Sequence, residues 1–330
     1  MRIAVADLGT NSTRLLIADV SADGRLTQLE RHTEVTRLGE GVDRSGRLSP
    51  DAMERVYTAL ARYREIADAA DAERRIAVAT SAVRDARNGS ELVEHVRERL
   101  GFDIRTITGD EEARLTFLGA TSARAANAAA TPAATAGDDD ALAAPDDDAT
   151  TAETLVIDIG GGSTEFVVGR PGHDPRFHVS TALGSVRQTE RHLASDPPRH
   201  GELEALAADA ARIVASGVPE TVRREVRAGI AVAGTATSLA AIDQELEPYD
   251  PERVDGYRLS LAAAERMLAL LALLPVRERR DVTGLHPDRA PTIVAGAAIL
   301  VEAMRLFELD EVEVSEADIL DGAALDAARQ

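Results

Sequence analysis

The segment Asp7-Leu8-Gly9-Thr10-Asn11-Ser12-Thr13 returns in the second half of the chain as Asp158-Ile159-Gly160-Gly161-Gly162-Ser163-Thr164. Each copy follows an apolar strand pattern and runs Asp, apolar residue, Gly, two variable residues, Ser-Thr, then a second strand pattern. A motif that opens both halves of a 330-residue chain points to an internal duplication. The fold class that follows is α/β, with two related units whose loops face each other across a cleft.

Glycine lets backbone N–H groups approach an anion with no Cβ in the way, and Ser and Thr add hydroxyl donors, so such loops hold phosphate. The Asp at each strand end, Asp7 and Asp158, is placed to hold Mg²⁺ directly or through water. A pair of tight hairpins capped by Asp is the plain structural alternative for either loop alone. Two copies in one chain weigh against it.

Around the repeat, the first half reads as strands Arg2 to Ala6, Thr13 to Asp19 and Gln28 to Arg37, then a helix, a strand Arg75 to Thr80, a helix, a strand Asp103 to Ile107 and a helix. Ser49 as N-cap and Pro50 at the first helical position mark the first helix. The second half reads as strands Thr154 to Asp158, Glu165 to Gly169, Gly229 to Ala233 and Glu311 to Val314, with helices between them and a closing helix Asp318 to Ala328. Residues 122–151, rich in Ala, Asp and Thr, read as a flexible low-complexity insertion beside the hinge. The expected division is 1–121, insertion, and 152–330, with the last helix packing back on the first unit.

Three further segments carry polar chemistry at strand ends. Ala233-Gly234-Thr235-Ala236-Thr237 follows a strand and is expected to open a helix at Ser238, whose N-terminus would take another phosphate group. Thr108-Gly109-Asp110-Glu111-Glu112 also opens a helix. Asp110 and Glu111 are accounted for by the helix dipole, and one of the paired Glu residues is placed to face the cleft and deprotonate a water. Arg84, in Thr80-Ser81-Ala82-Val83-Arg84, and Arg14, just after the first loop, are candidate phosphate clamps.

Composition narrows the chemistry. All 37 basic residues are Arg and there is no Cys, which removes a P-loop lysine, a Schiff base, a thiol nucleophile and thiolate metal ligands. A net charge of -20 argues against a nucleic-acid partner, so a polyanionic substrate must be met by a local cluster of donors. No apolar run reaches membrane-span length and a strand pattern begins at Arg2, so no membrane partner is expected and a cytoplasmic location is.

As an ordered set, Asp7 to Arg14, Ser81 to Arg87, Gly109 to Arg114, Asp158 to Glu165, Leu183 to Val186, Ala233 to Thr237, Val314-Ser315-Glu316 and Asp321-Gly322 resemble the exopolyphosphatase and guanosine pentaphosphate phosphohydrolase (Ppx/GppA) family. That family lies in the actin, Hsp70 and sugar kinase superfamily, with ribonuclease H-like units. The resemblance implies Glu112 as the base, Asp158 and Glu165 (with Asp7) as holders of Mg²⁺ or Mn²⁺, and Thr10, Asn11, Ser12, Gly161, Gly162, Ser163, Thr164, Gly234 and Thr235 as phosphate-binding. Ser185, in Gly184-Ser185-Val186, would line the same cleft. It further implies release of terminal orthophosphate from polyphosphate and a homodimer. The chain ends at Gln330, without the additional C-terminal helical module of larger members, which favours short polyphosphate or guanosine pentaphosphate. An ATP-dependent kinase would need an adenosine pocket, for which no dedicated Gly-Gly motif is present. A non-catalytic sensor of guanosine tetraphosphate or pentaphosphate is the remaining alternative.

Overall fold

The computed structural model describes residues 1–130 and 152–329, so most of the expected insertion lies outside the described residues. Two mixed sheets carry the fold. The first contains β1 (Arg2–Leu8), β2 (Thr13–Val20), β3 (Leu26–Glu34), β4 (Arg74–Ala79) and β5 (Asp103–Thr106), in the order β3-β2-β1-β4-β5. The second contains β6 (Thr154–Ile159), β7 (Thr164–Gly169), β8 (Phe177–Thr181), β9 (Ala228–Val232), β10 (Arg258–Ser260) and β11 (Glu311–Val314), in the order β10-β11-β9-β6-β7-β8.

The duplication read from the motif is a duplication of topology. In both sheets two antiparallel hairpin partners lie on one side of the motif strand and two parallel strands on the other: β1 pairs antiparallel with β2 and parallel with β4, and β6 does the same with β7 and β9. Only β10, added antiparallel to β11, has no counterpart. β8 and β10 are absent from the sequence reading. Both are short edge strands with mixed burial, so neither carries the apolar run or clean alternation that marks a strand.

Period-two alternation decides where the charged residues go. On β1, Ala4, Ala6 and Leu8 pack against the core beneath the helix Pro50–Ala69, while Ile3 and Val5 face the closing helix Ile319–Ala328. Asp7 shares the parity of Ile3 and Val5, and Arg14 on β2 that of Leu16 and Ala18, so both lie on the second face. In the second sheet Leu155, Ile157 and Ile159 face the large core, whereas Val156 and Val167 face the helix Gly109–Ala130. Asp158 and Glu165 share that parity. The helix Gly109–Ala130 therefore runs between two sheet faces, giving Leu115 to one apolar cluster and Ala113, Phe117 and Ala120 to the other.

Capping fixes where that helix starts. The Thr108 hydroxyl accepts from the Glu111 amide at 3.1 Å, so the three acidic residues fall in the first turn, where the helix dipole favours them. Ser49 caps Pro50–Ala69 by accepting from the Ala52 amide at 3.2 Å, as read from the sequence. Asp318 caps Ile319–Ala328 through the Leu320 amide at 3.0 Å.

The closing helix crosses Gly109–Ala130 backbone to backbone. A Cβ at Gly119 would stand 1.9 Å from the Asp318 carbonyl oxygen, and one at Gly322 would stand 1.8 Å from that of Leu115. Neither backbone can give way without moving a helix that presents the site. Gly322→Val is therefore expected to destabilise the chain by about 3 kcal/mol or more, read as a fall in urea midpoint, whereas Gly201→Ala, with open space around it, should leave the midpoint in place.

Candidate active site

The two repeated loops have the same internal geometry. The Gly9 amide donates to the Ser12 carbonyl at 3.0 Å, and the Gly160 amide donates to the Ser163 carbonyl at 3.0 Å. They also touch. A Cβ on Gly161 would lie 3.0 Å from Thr10 Cβ, and one on Gly162 would lie 2.7 Å from Ser81 Oγ, so only glycine allows this approach. The Thr10 and Ser81 hydroxyls share a hydrogen bond at 2.9 Å.

Between the loops lies a cavity of ≈ 80 Å³ lined by Asp7, Thr10, Asn11, Ser12, Arg14, Glu112, Asp158, Gly161, Ser163, Glu165, Ser185, Gly234 and Thr235. Residues chosen on sequence grounds from five separate segments thus meet in one place. Three of the chosen residues do not line it. Thr164 is buried and spends its hydroxyl on the Leu183 carbonyl. Gly162 faces the neighbouring space beside Arg187, and Arg84 lies behind Glu112.

The two Arg clamps are occupied by carboxylates. Arg14 donates from Nε and Nη2 to Asp7 Oδ2 at 3.0 and 2.7 Å and pairs through Nη1 with Asp318. Burial acts to lower its pKa, but Asp318 and Asp7 outweigh that and raise it. Arg31 extends the network to Asp321 at 2.5 Å. Arg84 donates from Nη1 to Glu112 Oε2 at 2.9 Å and to the Ile107 carbonyl at 3.0 Å. Both Arg side chains hold acidic groups of the site in place, because a half-buried guanidinium beside a carboxylate forms the charge-assisted pair that is within reach.

The structure separates the three acidic residues of the helix start. Glu111 pairs with Arg105 at the surface, and Asp110 is exposed near His178. Glu112 is buried at 7% exposure, and burial raises its pKa to about 7 against the lowering effect of Arg84.

Register explains the second acidic pair. In β1–β2 the motif Asp faces an arginine, Asp7 opposite Arg14; in β6–β7 it faces a second acid, Asp158 opposite Glu165. Burial raises Asp158 to about 7, with Asp318 and Asp7 adding repulsion, and raises Glu165 well above the carboxylate range, with Glu112 and Asp158 adding to it. Thr116 Oγ1 donates to Asp158 at 3.2 Å and Ser180 Oγ to Glu165 at 2.7 Å. Among the described residues neither carboxylate makes an ion pair within 4.0 Å. Two buried acids directly opposite each other need a proton or a cation between them.

Two site features were missed in the sequence. The helix after β9 begins at Ala233 and not at Ser238, because Ala233 takes a left-handed φ of 62° and turns the chain at once. Gly234 and Thr235 thereby stand in the first helical turn, where amides have no intrahelical acceptor, and both line the cavity. Arg289 lies over Gly234, where a Cβ would meet its Nη1 at 1.2 Å, and it lines the cavity. Burial lowers its pKa and Arg14 lowers it further; among the described residues no carboxylate lies within ion-pair distance. The only sequence signal for Arg289 was its type, shared with every basic residue of the chain.

A larger cavity of ≈ 580 Å³, which shares Arg14, Gly234 and Arg289 with the first, is walled in part by Leu29, Leu246, Tyr249, Leu285 and His286. No helix among the described residues is long and apolar enough to cross a membrane.

The chain is 36% identical to exopolyphosphatase 2 of Mycobacterium tuberculosis, over 99% of this chain and 98% of that one. A crystal structure of an exopolyphosphatase from Cytophaga hutchinsonii superposes with a TM-score of 0.83 at 27% identity, covering 99% of this chain and 98% of the other. The Aquifex aeolicus Ppx/GppA family member superposes with a TM-score of 0.76 at 29% identity, over 100% and 98%. The sequence profile described as the Ppx/GppA phosphatase family matches residues 16–131 and 146–329, and with it the chain belongs to that family.

Proposed function

We propose that the chain is a phosphoanhydride hydrolase of the exopolyphosphatase type, releasing terminal orthophosphate from inorganic polyphosphate, with short chains preferred. The observation that carries this reading is the position of Glu112: a buried carboxylate with a pKa near 7 shares one cavity with two anion loops and a helix N-terminus. The amides of the loops and of Gly234 and Thr235 hold the terminal phosphoryl group, with Thr10, Asn11, Ser12 and Ser163 adding donors. Glu112, oriented by Arg84, accepts the proton of the attacking water. Arg289, which among the described residues has no carboxylate within ion-pair distance and lines the same cavity, would offset charge that develops on the leaving phosphate.

A divalent cation fits the acidic pair. Asp158 and Glu165 are hard oxygen donors opposite each other, and the buried Asp7 Oδ1 has no hydrogen-bond partner. Mg²⁺ and Mn²⁺ can be held by one or two carboxylates, with water and substrate oxygens completing the shell. Bound there, the cation would offset charge on the phosphoryl oxygens.

A second reading, hydrolysis of guanosine pentaphosphate, is favoured by one feature. The ≈ 580 Å³ cavity next to the site has apolar and aromatic walls at Leu29, Leu246, Tyr249 and Leu285, and a polyphosphate tail makes no use of these. Orthophosphate release by the purified chain with Mg²⁺, measured in parallel on tripolyphosphate, long polyphosphate, guanosine pentaphosphate and ATP, tests both. Fastest turnover of tripolyphosphate is the expected result, guanosine pentaphosphate as best substrate would move the assignment to the second reading, and no release from any would overturn both.

A further inference from the structure

The helix Ser185–His192 reaches across the cleft with three side chains. Arg187 donates from Nε to the Gly162 carbonyl at 2.8 Å and from Nη2 to Asp85 at 2.9 Å, and pairs through Nη1 with Asp43. Arg191 donates from Nε to Asp43 at 3.0 Å. Glu190 accepts from the Gly41 amide at 3.0 Å.

Both ends of this network are anchored on an anion loop. On the first half, the segment that carries Gly41 and Asp43 is tied to the first loop: the Arg37 amide donates to the Asn11 carbonyl at 2.8 Å and the Gly39 amide to the Thr10 carbonyl at 2.8 Å. On the second half, the Ser185 and Val186 amides donate to the Gly160 and Gly161 carbonyls, each at 2.9 Å. Gly184 packs so tightly on the second loop that a Cβ would stand 2.3 Å from the Gly161 carbonyl oxygen. A force on the helix is therefore a force on the loop.

We infer that Arg187 is a positioning residue: its guanidinium, held between Asp43 and Asp85 on one half and Gly162 on the other, latches the two halves in the closed arrangement that brings both anion loops onto one phosphate. The cavity of ≈ 80 Å³ is lined by loops from both halves, so parting the halves would separate the donors that meet in it. The latch suits repeated opening. Its carboxylates are partly exposed, with side-chain exposures of 26% for Asp43 and 43% for Asp85. Partly exposed pairs are individually weak and exchange readily with water. Together they bias the open–closed equilibrium, which lowers the apparent affinity by the fraction closed when they are removed.

The inference rests on the phosphohydrolase reading for its kinetic consequence but not for its geometric one. The chain has no Cys, so Glu54→Cys and Ala194→Cys, exposed positions on opposite halves, can carry spin labels for a distance measurement. In this background Arg187→Met removes the latch and the support of Gly162. The pair Asp43→Asn with Asp85→Asn removes the latch and leaves the bond to Gly162, and it carries the test if the first variant does not fold. Both variants are expected to move the main interspin distance outward without substrate. Both should also lower kcat/KM for tripolyphosphate about tenfold, chiefly through KM for the Asp pair and through kcat as well for Arg187→Met. Distances unchanged in both variants would overturn the latch. Distances moved outward with kcat/KM within twofold of the parent would overturn its role in positioning. Should the parent chain release no orthophosphate, the phosphohydrolase reading fails and the distance arm still decides the latch.

Discussion

Glu112→Gln is expected to lower kcat for orthophosphate release by on the order of 10²- to 10⁴-fold, the range that a positioned general base contributes. Glutamine keeps the volume and accepts from Arg84 at the same place, so binding of tripolyphosphate should persist within a few-fold, read by calorimetry. The pH profile gives a second handle. Burial raises the Glu112 carboxyl to about 7, and only the deprotonated form accepts a proton from water. In the parent chain, kcat/KM should climb with pH through the neutral range and level off above it. That limb should be missing from the residual activity of the variant. An unaltered rate in Glu112→Gln would remove this residue from the reaction.

Opposite effects on activity and stability are expected from Asp158→Asn and Glu165→Gln. The folded-state pKa values of both carboxyls are raised above their unfolded values. Between the ordinary carboxylate range and about pH 7 the folded chain thus holds protons that the unfolded chain has lost. The stability they contribute is complete at acidic pH and is lost as pH rises through the folded pKa. At pH 8, without metal, two buried like charges then oppose folding. Neutralising either with its isosteric amide should stabilise the metal-free protein by about 1 kcal/mol or more, seen as a Tm gain of about 2–4 °C. Turnover should fall by about 10²-fold or more, because a cation held by this pair would lose an oxygen ligand. Mg²⁺ should raise the Tm of the parent at pH 8 and do so less at pH 5.5, where protons occupy the pair. A Tm that falls in both variants, with the Mg²⁺ response intact, would refute a cation between these carboxylates.

The sheets could be read from the chain because their signals are local. Apolar runs ending in Asp-x-Gly, with Ser-Thr entering the next strand, mark both β1–β2 and β6–β7, and the cap Ser49 marks a helix start that depends only on neighbours in sequence. The edge strands Phe177–Thr181 and Arg258–Ser260 are stabilised by pairing with β7 and β11, and nothing in their own residues says so.

The sequence by itself determined the duplication, the two Gly-containing Ser-Thr loops, and an acidic residue at the start of Gly109–Ala130. Each is a property of a few consecutive residues whose backbone and side-chain chemistry admit few conformations. Tertiary structure alone chose Glu112 over Glu111, set Asp158 against Glu165 while giving Asp7 an arginine, engaged Arg14 and Arg84 with carboxylates, and brought Arg289 over Gly234. The reason lies in distance along the chain. Arg14 meets Asp318, and Gly234 meets Arg289, through packing between elements far apart in sequence. Whether an Arg holds a phosphate or a carboxylate depends on which acid the fold brings within reach of it.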